Sequence, residues 1–373
     1  MALNDFFQFI AQHYNRKLPF VVYRKPNSNA VKAMLQNNDE LFITSKFEET
    51  GFVFSPFDNE SDTIIIPSKQ SESLAVNYSE MNVISKLNHI ATQVSDTEKE
   101  HHISLVEKGV AAIENGDFQK VVLSRKEEIE LENTDIFSIY RNLLASYKSA
   151  FVYCWYHPKI GLWLGATPET LLKIEGRHFS MMALAGTQDY HGSLEVQWRD
   201  KELQEQQFVT DFILDNIKST VENIKTSEVE TVKAGNLLHL RTLIKGNLIH
   251  QNLSLKQLLE NLHPTPAVCG LPKKKAKDFI LENENYNRSF YTGFLGELNF
   301  EIDTKPRTGA RNIENRAYSI KKKSTQLYVN LRCMQLKDKK AIVYVGGGIT
   351  ATSKPEQEWE ETVSKSKVVK NVL

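Results

Sequence analysis

Apolar and polar positions fall into two periods along this chain, and the alternation between those periods outlines its elements. Ile103, Val106, Val110 and Ile113 recur at helical spacing, a stripe that Asn115-Gly116 closes as a C-cap. KVVLSRKEEIEL (Lys120 to Leu131) then reads as a strand, β-branched at its start and alternating at its end. Phe151 to Trp155, Gly161 to Gly165 and Leu171 to Ile174 form a hairpin-like set, with turns at His157-Pro158 and Thr167-Pro168. Met181 to Ala185 is a further apolar run ended by Gly186.

A long helix is predicted from about Arg199 to Ile224, with Val209, Phe212, Ile213, Ile217, Val221 and Ile224 as its buried stripe. A shorter one, Ser254 to Leu262, runs into His263-Pro264-Thr265-Pro266. Gln326 to Leu336 and Ala341 to Val345 read as strands joined by Lys337 to Lys340, and Ser353-Lys354-Pro355 opens a closing helix with proline in its first turn. Strands come in runs rather than alternating with helices, so the expectation is one large α+β domain with antiparallel sheet. Residues 1–95 hold strand-like pieces (Leu18 to Tyr23, Thr63 to Ile66) around polar turns such as Lys25 to Ser28, and no chemical motif.

Composition narrows the class. The chain has 373 residues, 41% of them hydrophobic, and its 46 Lys+Arg balance 46 Asp+Glu. Such a chain can bury a core, and without a basic field it is a poor match for nucleic acid. No apolar run approaches the ~18–20 residues of a membrane span. The N-terminal MALNDFFQFIAQHYNRK has no basic segment ahead of an apolar core, so it does not read as a secretory signal. Cys154, Cys269 and Cys333 are scattered and odd in number, which suits a reducing cytoplasm better than a disulfide framework.

Four features could carry chemistry. On the closing helix, Glu358, Glu361 and Lys365 share one face. They could present two hard carboxylates to Mg²⁺ and a cation to an anionic substrate, or form a solvated face. In the long helix Glu205 continues the inward face four residues before Val209, where a buried carboxylate needs a partner. A metal would supply one; complementing the helix dipole is the plainer alternative.

Gly346-Gly347-Gly348-Ile349-Thr350-Ala351 fits GxGxxA, but only 25 residues follow Gly348, too few for a dinucleotide-binding crossover. What remains is a turn of bare amides able to approach a carboxylate, or a simple bulge. Finally, Lys120 is a candidate base if a tight site lowers its pKa, and Glu169, after Thr167-Pro168, a candidate acid if its pKa is raised. Either alone is more often a surface residue. The sequence lacks HExxH and GxSxG, which disfavours a zinc hydrolase and an α/β-hydrolase. It also lacks a phosphate loop, which disfavours phosphoryl transfer.

Taken in order, the segments resemble the chorismate-utilising enzymes, and within them the isochorismate synthases. The matching pieces are KVVLSR (Lys120 to Arg125), GATPETLL (Gly165 to Leu172), ALAGT (Ala183 to Thr187) and KExxExxxV (Lys201 to Val209). They continue as LLHLRTLIKG (Leu237 to Gly246), LHPTPAVCGLP (Leu262 to Pro272) and NRSFYTGFLGE (Asn287 to Glu297), then VNLRC (Val329 to Cys333) and GGGIT…SKPEQEWEET…K (Gly346 to Lys365). Residues 1–95 would be the variable N-terminal part of the same fold and 96–373 the chorismate-binding catalytic region.

The resemblance implies layered antiparallel sheets with flanking helices around a Mg²⁺ site. Glu205 and Glu361 would hold the metal, with Glu358 as a ligand directly or through water. Arg332, Lys365 and the amides near Gly347 and Gly348 would clamp substrate carboxylates. Gly186, Thr187 and Ala267 would line the pocket, and His239 would sit near the leaving group. Lys120 would activate water for attack at ring C2, and Glu169 would protonate the departing C4 hydroxyl. The product would feed menaquinone or a catechol siderophore.

Amine-using relatives lack this lysine and take ammonia from a glutaminase. Water chemistry is therefore implied, in a monomer or homodimer needing no such subunit. Salicylate synthases share the lysine and go on to eliminate pyruvate, and a non-catalytic chorismate-binding protein is the further alternative. Two positions depart from the family pattern: Gln206, where a histidine usually follows the metal-binding Glu, and Glu297, where an apolar residue or Trp is common.

Overall fold

The computed structural model describes residues 1–78, 96–131, 135–249, 254–304 and 320–373. The boundary expected after residue 95 falls at the edge of residues outside this set. Among the described residues two sheets form, and every paired strand in them is antiparallel.

The first sheet runs β15 (Gly270–Leu271), β7 (Lys120–Glu130), β19 (Lys340–Ile349), β18 (Cys333–Lys337), β9 (Gly161–Thr167), β8 (Phe151–His157), β1 (Phe20–Arg24), β2 (Ala30–Gln36) and β6 (Ser71–Asn77). The second runs β12 (Val221–Thr226), β14 (Leu237–Leu248), β11 (His178–Asp189), β10 (Thr170–Glu175), β17 (Ile320–Val329), β16 (Phe294–Thr304), β4 (Gly51–Ser55), β5 (Thr63–Pro67) and β3 (Phe42–Thr44). β13 (Glu230–Ala234) pairs with β14 off this path. The helices are α1 (Leu3–Asn15), α2 (Asp96–Glu114), α3 (Ile136–Ser146), α4 (Asp200–Ile217), α5 (Leu255–Leu262), α6 (Lys273–Asn283) and α7 (Pro355–Lys370).

Strand periodicity sorts side chains into layers. In β1, Val21 and Tyr23 face the second sheet while Phe20 and Val22 face helices; in β8, Phe151, Tyr153 and Trp155 face inward and Val152 and Cys154 outward. Between the sheets lies an aromatic core in which Phe151 stacks on Tyr328 at 4.1 Å and Phe54 on Phe290 at 4.2 Å. α1 and α3 cover the outer face of the first sheet, and α4 and α5 that of the second. The result is the expected layered α+β architecture. The N-terminal strands are part of both sheets, since β1 pairs with β8 and β4 with β16.

Four local readings change. The buried face of α2 is His102, Leu105, Val106 and Gly109, with Ile103, Val110 and Ile113 only partly covered. α4 ends at Ile217, and Val221 and Ile224 belong to β12, because pairing with β14 outcompetes continuation of the helix.

The run read as one strand from Gln326 to Leu336 is two. β17 stays in the second sheet, β18 in the first, and the chain crosses between them at Asn330 to Arg332. Lastly, Gly346 to Gly348 are not a turn. They lie within β19, paired with Ser124 to Val122 of β7, and the missing side chains make room for neighbours packed against the strand.

Candidate active site

α4 starts where Glu202 Oε2 accepts from Arg199 N at 3.0 Å, a capping contact that satisfies an otherwise free amide. Val209, Ile213 and Ile217 then seat the helix on the second sheet, which turns Glu205 inward on the same stripe. α7 is held differently. Arg125 of β7 donates from Nε to Thr362 Oγ1 at 2.9 Å, and its guanidinium lies 4.4 Å from the centroid of the Trp359 ring. Trp359 and Thr362 each follow a glutamate of interest, so these contacts fix how Glu358 and Glu361 meet β19.

Between these helices and the ends of both sheets opens a cavity. Glu169, Gly186, Thr187, Glu205, His239, Ala267, Arg332, Gly347, Gly348, Glu361 and Lys365 line it. Lys120 and Glu358 stand just behind the lining. Lys120, wholly buried at the start of β7, places Nζ 2.7 Å from Glu205 Oε1. All thirteen residues singled out in the sequence thus meet in one place.

Electrostatics differentiates the acids. Burial pushes the Glu169 carboxyl up to about 8, against the pull of Lys120 and Arg332, so at neutral pH it carries its proton. Burial also penalises Glu205, but Lys120 and Lys201 outweigh it and hold that carboxyl at about 2. At neutral pH one acid is therefore protonated and the other ionised. Glu358 is raised by burial and by Glu361, with Lys201 opposing.

His239 on β14 is pushed down to about 3, by burial first and Arg332 second, so the ring is neutral. It lies 2.8 Å from Gly186 O through Nδ1, which must then carry the proton. Nε2 is left to accept from Arg332 Nη2 at 3.4 Å. Arg332 takes a left-handed backbone, φ 50°, in the crossing between the sheets.

The three glutamates expected to hold a metal are each occupied by a lysine. Glu205 pairs with Lys120, Glu361 Oε1 with Lys365 Nζ at 2.6 Å, and Glu358 Oε1 with Lys201 Nζ. Among the described residues no group of three His, Cys, Asp or Glu side chains is arranged to hold an ion. The donor chemistry nevertheless fits a hard cation. Three carboxylates border Gly347 and Gly348, and the buried Oε2 of Glu358 has no hydrogen-bond partner. Holding an ion would require these oxygens to exchange lysine for metal.

Some contributors went unassigned in the sequence. Lys201 was legible in principle, four residues before Glu205 and so on the same helical face. Arg288 and Glu284 were not. Their pair, with Nη2 to Oε1 at 2.6 Å, ties the cavity walls together: Arg288 donates to Val122 O at 2.6 Å and Val268 O at 3.0 Å, while Glu284 accepts from Ser124 N at 2.7 Å.

The two departures are both accommodated. Gln206 donates to Ala183 O and to Thr242 Oγ1. Glu297 accepts from Tyr23 Oη at 2.6 Å and pairs with Lys25 and Lys32, outside the cavity lining.

Family models described as chorismate binding enzyme match residues 42–305 and 318–371. Isochorismate synthase DhbC of Bacillus subtilis is 28% identical over 72% of this chain and 66% of its own length. Anthranilate synthase component 1 of Lactococcus lactis is 26% identical over 77% of this chain and 59% of its own. The chain thus spans somewhat under two thirds of the length of these relatives. A Bacillus anthracis structure described as a 2,3-dihydroxybenzoate-specific isochorismate synthase superposes with TM-score 0.76 at 21% identity, covering 98% of both chains, a likeness of fold. The chain belongs to the chorismate-binding enzyme family.

Proposed function

We propose that this protein converts chorismate to isochorismate in a Mg²⁺-dependent reaction: water adds at ring C2, the ring double bonds shift, and the C4 hydroxyl departs as water. The observation that carries the reading is a carboxylic acid kept protonated at neutral pH, Glu169, in the same cavity as Arg332 and beside Lys120. Hydroxide is a poor leaving group, so Glu169 hands its proton to the C4 oxygen as that bond breaks. Water is a poor nucleophile, so Lys120 takes its proton on the other side. Each transfer of this kind contributes about 10²–10⁴-fold.

Arg332, Lys365 and the amides near Gly347 and Gly348 hold the substrate carboxylates, and neutral His239 keeps Arg332 oriented through Nε2. Gly186, Thr187 and Ala267 shape the wall. Glu205, Glu358 and Glu361 would hold Mg²⁺, which supplies positive charge to a doubly anionic substrate. The protein works without a glutaminase subunit, as a cytoplasmic monomer or homodimer.

Lys120 favours water over ammonia as nucleophile, and it is equally compatible with a salicylate synthase that eliminates pyruvate after the same first step. Incubation with chorismate and Mg²⁺ followed by chromatography decides. Isochorismate is the expected product. Salicylate with pyruvate would make the protein a lyase, anthranilate formed with ammonia would move it to the amine branch, and binding without turnover would leave a chorismate-binding protein.

A further inference from the structure

Lys201 has no part in the reaction just described, yet it is built into the acidic cluster. It sits in the first turn of α4 with its side chain 17% exposed, and Nζ donates to Oε1 of Glu358, which is itself 3% exposed. Burial works against its charge, but Glu358, Glu361 and Glu205 together outweigh burial and keep it an ammonium. Its one close pair is with Glu358, just as Lys120 pairs with Glu205 and Lys365 with Glu361. The other carboxylate oxygen of Glu358 is buried, without a partner, and faces the bare backbone of Gly347 at the cavity wall, where a Cβ would lie 3.6 Å from it.

We propose that Lys201 is a positioning residue that sets metal affinity, acting as a resident counter-ion that competes with Mg²⁺ for Glu358. The inference rests on the magnesium reading above. Mg²⁺ requires oxygen ligands at about 2.0–2.1 Å and tolerates little departure from octahedral geometry. An ammonium bound to one oxygen of Glu358 blocks that lone pair and repels a dication placed beside it. It also holds the buried glutamate in place when no ion does so, since an uncompensated carboxylate there would be costly. Lys201 thus keeps the cluster folded at the expense of weaker metal binding.

The test is calorimetric titration of Mg²⁺, with Mn²⁺ followed by electron paramagnetic resonance, into the full chain without substrate. Lys201→Met should bind either ion at least tenfold more tightly than the unaltered protein. Lys201→Arg, which keeps the charge, should bind like the unaltered protein. Lys201→Gln keeps a donor for Glu358 without the charge and should track Lys201→Met, so the comparison survives if the methionine variant folds poorly. Unchanged or weaker metal affinity in both neutral variants would overturn the role of Lys201 and leave the metal assignment standing. No binding by any of the proteins would overturn both.

Discussion

A Cβ placed on Gly348 would stand 2.0 Å from Glu205 Oε1 and 3.1 Å from Lys120 Cε. The glycine is thus the gap through which an acid on α4 reaches a lysine on β7. Gly348→Ala must displace Glu205, because such a contact cannot be absorbed by a small shift. We expect turnover to fall by about 10²-fold or more, the order seen when catalytic groups are misplaced by an ångström, with the circular dichroism spectrum retained. Steady-state assay of the folded variant checks this.

Glu169 predicts two opposite effects of one substitution. Its carboxyl titrates at about 8, so activity should decline as pH rises through that value. Glu169→Gln should lose about 10²–10⁴-fold in rate together with that limb of the pH profile. The sign for stability is reversed. A carboxyl whose pKa is raised on folding favours the folded state most below the unfolded value near 4.5, and that advantage is lost as pH climbs towards 8. Glutamine does not ionise, so the variant should melt above the unaltered protein at pH 8.5 and close to it at pH 5.

Glu297 is an ionised acid in a core of aromatic side chains, held below its ordinary pKa by Lys25 and Lys32 against the effect of burial. Its contribution to stability is present above about pH 4.5 and lost as pH falls through its lowered pKa. Glu297→Ala should cost about 2 kcal/mol, less than a fully buried pair because the lysines are partly in water. Chorismate turnover should be unchanged, since the residue lies outside the cavity lining. Urea unfolding and a parallel assay would test both halves.

Arg288→Met leaves Glu284 charged and unpaired in the interior and frees the Val122 and Val268 carbonyls. The expected loss is about 3–5 kcal/mol, read as a lower denaturation midpoint. Glu284→Gln in the same background should recover part of it, because the stranded charge is then gone.

How much of this the sequence disclosed depended on the range of the interaction involved. β7, β8 and β9 were legible because alternation is local, and α7 because Pro355 and the Glu358, Glu361, Lys365 spacing state its start and its face. The crossing at Asn330 to Arg332 was not. Apolar residues continue through Leu331, and only the pairing of β17 and β18 in different sheets reveals the break. Gly346 to Gly348 were misread because their emptiness answers to side chains on other elements: Ser124 and Tyr291 at Gly346, Glu358 and Glu361 at Gly347, and Glu205 at Gly348.

The site residues could be named from their order in the family's motifs. The lysine partner of each glutamate could not, since only Lys365 with Glu361 is a neighbour in sequence. The pairs from Lys120 to Glu205 and from Lys201 to Glu358 are made by the fold.

The backbone of Arg332, at φ 50°, would suit glycine better than any residue with a side chain. Left-handed geometry costs an ordinary residue about 1–2 kcal/mol, and the chain bears that strain where Arg332 enters the cavity lining from the seam between the sheets. Replacing this arginine by glycine would make a more relaxed seam and a less useful protein. Selection for thermal robustness alone would discard the residue; on the proposed function, it is where this molecule gives up durability for work.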